Sequence, residues 1–75
     1  MQRYDGADRD SGIDAYEAGA NFMRVRFIHG GTYLYTYRSA GRRHIENMKT
    51  LARMGKGLNT YINDNVREAF ERKED

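Results

Sequence analysis

Two periodicities divide the chain. From Phe22 to Ile28, Met23, Val25 and Phe27 fall on one side of an extended backbone, with Phe22, Arg24, Arg26 and Ile28 on the other, which predicts a strand. His29-Gly30-Gly31-Thr32 is the strongest turn signal, and Tyr33 to Arg38 is the predicted return strand, with Tyr33, Tyr35 and Tyr37 on one face. Gly12 to Tyr16 reads as a short first strand, separated from the hairpin by a turn over Glu17 to Asn21. After Ser39, a candidate N-cap, the apolar positions recur at helical spacing. Ile45, Met48, Leu51 and Ala52 predict a helix over 41–54 that stops at Gly55, and Tyr61, Ile62, Val66, Ala69 and Phe70 predict a second over 59–72.

These elements define an α+β fold: a short antiparallel β-meander of two to three strands followed by two α-helices packed on one face. Residues 1–11 carry no apolar period and are expected to form a polar, disordered arm; residues 12–73 form the single domain. The expected core is Val25, Phe27, Ile45, Met48, Leu51, Ile62, Val66 and Phe70.

Hairpin register decides what the tyrosines do. With a two- or four-residue loop centred on Gly30-Gly31, Tyr33 faces Ile28, Tyr35 faces Arg26 and Tyr37 faces Arg24, so arginines and tyrosines share one face. An odd-length loop or a bulge inverts this and sends the tyrosines into the core with Met23, Val25 and Phe27. The Gly-Gly pair favours the even register.

Composition narrows the function classes. At 75 residues the chain holds one domain with a thin core. It has no Cys, hence no disulfide, thiolate metal site or cysteine nucleophile. Mean hydropathy is −0.95 and no long apolar run occurs, which excludes a membrane-spanning helix. No apolar leader opens the chain, so a cytoplasmic location is expected. His29 and His44 lack neighbouring ligands at metal spacing, and no metal or cofactor is expected.

The net charge of +2 conceals a segregated distribution. Residues 20–57 carry eight Lys/Arg against Glu46 alone, between acidic flanks on either side. A one-signed segment attracts anions, phosphate foremost. Together with the tyrosine face, this predicts a non-enzymatic module binding single-stranded nucleic acid, RNA ahead of DNA. Arg24, Arg26, Arg38, Arg42 and Arg43 would neutralise phosphates, and Tyr33, Tyr35 and Tyr37 would stack bases. Tyr and Arg are equally the residues of protein hot spots, so a protein-interaction or inhibitor module is the alternative. A metal-free ribonuclease using Tyr35, Arg26 and His29 is also conceivable, but no spacing marks a catalytic set and no enzyme is expected.

The stretch from Ile13 to Val66 resembles the KTSC domain, a short module found alone in bacterial and phage proteins and at the C-terminus of some lysyl-tRNA synthetases. The residues that carry the resemblance are Met23-x-Val25-x-Phe27, Gly30, a Tyr-x-Tyr pair (Tyr33/Tyr35 or Tyr35/Tyr37), Gly55, Asn59 and Ile62. Three features depart from the pattern: the Val-Pro after the tyrosine pair is missing, Arg53 replaces a Ser, and the spacing from Tyr35 to Gly55 is about two residues too long. The resemblance implies a compact βββαα unit that folds as a monomer, with RNA binding as its suggested role. Leu51 to Ile62 also looks like the helix–turn–helix joint of ribbon-helix-helix repressors, which implies a DNA-binding homodimer paired through the strand Thr32 to Arg38. That reading leaves Ile13 to Ile28 unexplained.

Overall fold

The computed structural model describes residues 1–6 and 12–74. Five antiparallel strands lie in chain order across one sheet: β1 (Gln2–Arg3), β2 (Ile13–Ala18), β3 (Phe22–Phe27), β4 (Gly31–Thr36) and β5 (Arg72–Lys73). Between β4 and β5 run α1 (Tyr37–Ala40), α2 (Arg42–Met54) and α3 (Leu58–Tyr61), the last continuing as a π turn over Ile62–Val66. The α+β character expected from the sequence is present. The architecture is not a meander of two to three strands with two helices after it: the sheet has five strands, and its last member follows the helices.

Both additional strands come from segments read differently in the sequence. Gln2 and Arg3 pair with Tyr16 and Ala15, and Tyr4 is buried, so residues 1–6 belong to the fold; the rest of the expected arm, 7–11, lies outside the described residues. At the other edge Arg72 and Lys73 pair with Leu34 and Tyr33. The second helix therefore does not reach 72. β4 is hydrogen-bonded to β3 on one side and β5 on the other, so the strand on which a ribbon-helix-helix dimer would pair has neighbours on both sides.

The β3–β4 register departs from the Gly-Gly expectation. Val25 lies opposite Tyr33, Met23 opposite Tyr35, Arg24 opposite Leu34 and Arg26 opposite Thr32. Phe27 pairs with Gly31, leaving a three-residue loop over 28–30. Of the two glycines only Gly31 has positive φ, at 84°, whereas a type I′ turn needs two adjacent residues there. An odd loop inverts side-chain parity, so Tyr33 and Tyr35 share a face with Met23 and Val25, away from Arg24 and Arg26.

Helices cover that inner face. Ile45, Met48 and Ala52 project from α2, and Leu58, Ile62 and Val66 from the following helical stretch, onto Tyr16, Met23, Val25 and Tyr35. Of the expected core, Val25, Ile45, Met48, Ile62 and Val66 are buried, while Phe27, Leu51 and Phe70 are half-buried at its margin. Thr36 caps α1: its hydroxyl accepts the Ser39 N–H, and the Ser39 hydroxyl accepts the Thr36 N–H, both at 3.0 Å. Ser39 is thus the third helical residue, the far partner of a capping box, and not the cap. Gly55 ends α2 in the left-handed conformation, φ 75°, and accordingly stops the helix where the sequence placed the stop.

Candidate aromatic binding pocket

A cavity of about 440 Å³ opens between the tip of the β3–β4 hairpin and the π turn. Phe27, Tyr33, Tyr35 and Phe70 form its aromatic wall. The strands deliver the first three by alternation, since Phe27, Tyr33 and Tyr35 all point to the inner face. Phe70 comes from the segment that turns back from the helices toward β5, where the Glu71 N–H donates to the Leu34 carbonyl. Tyr33 meets Phe70 at 4.8 Å and 65° between rings, and Phe27 at 5.7 Å and 79°; Tyr35 meets Phe70 at 6.4 Å and 88°. Edge-to-face packing fixes these rings without stacking them on one another.

His29, Asn63, Arg67 and Glu68 ring the opening. All four are exposed, and none of their side chains is hydrogen-bonded or ion-paired to another described residue. The π turn presents Asn63. Within it the Asn65 side-chain amide donates to the Tyr61 carbonyl at 3.0 Å, a side chain inserted into the helical ladder. Turns of this kind occur often at functional sites. On the far side of Phe70 a second cavity, about 430 Å³, is lined by Arg38, Ser39 and Glu71. Phe70 is thus the shared wall between one hollow carrying Arg67 and another carrying Arg38.

Burial pushes the Tyr35 phenol up to about 12 from an ordinary 10.0, with neighbouring Tyr33 adding to the effect. Tyr33 is half-buried, and the Lys73 ammonium sits 5.7 Å from its ring centroid.

The structure does not assemble the residues expected to share one face. Arg24 and Arg26 lie on the outer face of the sheet and are engaged there. Arg24 is ion-paired with Glu17 and Glu74 and rests 5.3 Å from the Phe22 ring; Arg26 bonds Asp14 at 2.9 Å. Arg24, and then Arg72, hold the Glu74 carboxyl below its ordinary range. Tyr37 begins α1, and its hydroxyl donates to Glu46 at 2.6 Å, which raises the phenol and lowers the carboxyl. Arg42 and Arg43 open α2, exposed and outside the aromatic pocket. Of the eight expected binding residues, Tyr33 and Tyr35 line this pocket, and Arg38 lines its neighbour.

Sequence reasoning passed over Phe27 and Phe70 as plain core, and gave Asn63, Arg67 and Glu68 no binding role. One signal could have recovered the inner wall. In the odd register Met23 and Val25 oppose Tyr35 and Tyr33, concentrating apolar area on one face, whereas the even register divides it between two.

Among the described residues no group of three or more His, Cys, Asp or Glu is placed to hold a metal ion, and no helix is long and apolar enough to cross a membrane. No family model matches the chain, and neither a curated protein nor a solved structure matches it.

Proposed function

We propose that this chain is a small non-enzymatic module that binds single-stranded nucleic acid, RNA in preference to DNA, at the aromatic pocket and not across the hairpin's outer face. The observation that carries the reading is the aromatic wall of Phe27, Tyr33 and Phe70, rimmed by polar side chains without partners among the described residues. Unpaired bases stack on such rings, while guanidinium groups on either side take phosphates. Arg67 and Arg38 occupy those flanking positions around Phe70. The arginines of the outer face are neutralised by carboxylates and contribute little free charge. The KTSC resemblance implies the same class of ligand.

The test is fluorescence anisotropy with labelled RNA and DNA strands at two salt concentrations. Phe70→Leu, which keeps apolar bulk but removes the ring, should weaken binding by about 1–3 kcal/mol with the salt dependence unchanged. Arg67→Ala and Arg38→Ala should each flatten the salt slope by about one unit or less, whereas Arg24→Ala should not. Absence of binding at low salt rejects the reading and leaves a protein surface as the occupant of the pocket.

A further inference from the structure

The stacking wall alone accepts any base, because every base has a π face. Discrimination must come from the polar rim, and the rim is chemically asymmetric. Glu68 supplies a carboxylate that makes no ion pair among the described residues. A carboxylate only accepts hydrogen bonds, so it favours a base edge that presents donors and repels one that presents lone pairs.

We infer that the pocket selects guanine. The inference rests on the nucleic-acid reading above and specifies which base it takes. Guanine offers two adjacent donors, the ring N1–H and the exocyclic N2 amine, which a single carboxylate can accept together in the fork-like manner it uses for guanidinium. Adenine and cytosine place a ring-nitrogen lone pair beside their amine, and uracil sets its one N–H between two carbonyl oxygens. Each of those edges turns at least one lone pair toward Glu68. Guanine's remaining groups, O6 and N7, are acceptors. Asn63 lies on the same rim and its side-chain amide can donate, so both halves of the guanine edge have counterparts while Arg67 stays on the phosphate. The cavity of about 440 Å³ is within the usual range for a small-ligand site and admits one nucleotide. Its mouth is at the exposed hairpin tip, where a base flipped out of a single strand can enter.

The experiment uses the full chain and four labelled uridine-rich RNA strands that differ at one central position, G, A, C or U. One guanine per strand prevents association of guanine tracts. The expected result is that the G strand binds about tenfold or more tighter than the other three, and that Glu68→Gln reduces this preference to about threefold or less, the G strand weakening relative to the A, C and U strands measured with the same variant. Because Glu68 is exposed, the variant should melt with the wild type, and that melt is recorded alongside. Asn63→Ala serves as a second variant and should erode the preference from the O6 side. Equal affinity for all four strands overturns the guanine assignment while leaving the stacking site intact. An unaltered G preference in Glu68→Gln overturns the role of the carboxylate. Failure of every strand to bind at low salt overturns the nucleic-acid reading itself, a different result from either.

Discussion

Tyr4→Phe removes one oxygen atom and with it the acceptor of a long-range hydrogen bond. The Leu58 N–H, at the start of α3, has no partner within the helix, and Gly57 before it has no side chain with which to cap it. The Tyr4 hydroxyl accepts that N–H at 3.1 Å across 54 residues of sequence, at a buried position. Phenylalanine retains the ring, 4% exposed and packed edge-on against Tyr16 at 6.4 Å, so the apolar contact survives and the acceptor disappears. A buried donor left without a partner costs about 1–3 kcal/mol. For a domain of this size each kcal/mol moves the melting temperature by about 4–8 °C. The variant should therefore melt visibly lower in a circular dichroism scan, with the urea m-value unchanged. Tyr4→Ala should lose about 3–5 kcal/mol, because a cavity is added to the orphaned donor. If Tyr4→Phe melts with the wild type, the hydroxyl does not cap the helix. If Tyr4→Ala does as well, residues 1–6 are not part of the core.

Three further outcomes follow from charges and backbone angles. Tyr35 keeps its proton more tightly when folded than when unfolded, so stability should be full below pH 10 and fall as pH rises through about 12; Tyr35→Phe should lessen that fall, read by alkaline melts. Glu74 is held below its ordinary range by Arg24, so its contribution is present above the ordinary carboxylate pKa and lost as pH drops below it; Glu74→Gln should flatten the acid limb of the melting profile. Gly55→Ala should cost about 1–2 kcal/mol for the left-handed backbone alone. It should cost more than that in a chemical denaturation assay, because a Cβ at Gly55 would also lie 2.8 Å from Asp5 Cβ.

The parts of the fold legible in the sequence are those whose signal is local. α2 runs for 13 residues of one amphipathic repeat and ends on a glycine, and β3 alternates without interruption. β1 and β5 are two residues each, too short for any period to register. Residues 67–74 are rich in alternating charges that suit a helix, yet Phe70 is drawn onto Tyr33 and Tyr35, and tertiary contact overrides the local preference. The tyrosine pair was legible as a feature and not as a place. One residue of loop length decided whether the rings met arginine or methionine, and Gly-Gly is compatible with either. The rim of the pocket left no trace in the sequence, because Asn63, Arg67 and Glu68 meet Phe27 and Tyr33 only through folding.

The brevity of the two outer strands bears on how this protein avoids sticking to itself. β4 holds Thr32-Tyr33-Leu34-Tyr35, a run of strongly β-forming residues of the kind that seeds fibrillar stacking when its backbone is left open. Arg72 and Lys73 seal the middle of that run with charged, exposed side chains, and Arg3 does the same at the opposite border of the sheet. Such positively charged gatekeepers make a poor template for a further strand. A chain shortened before Glu71 would lose more than a sheet partner: it would uncover a tyrosine-rich edge able to recruit copies of itself, so Arg72 and Lys73 act as a solubility device.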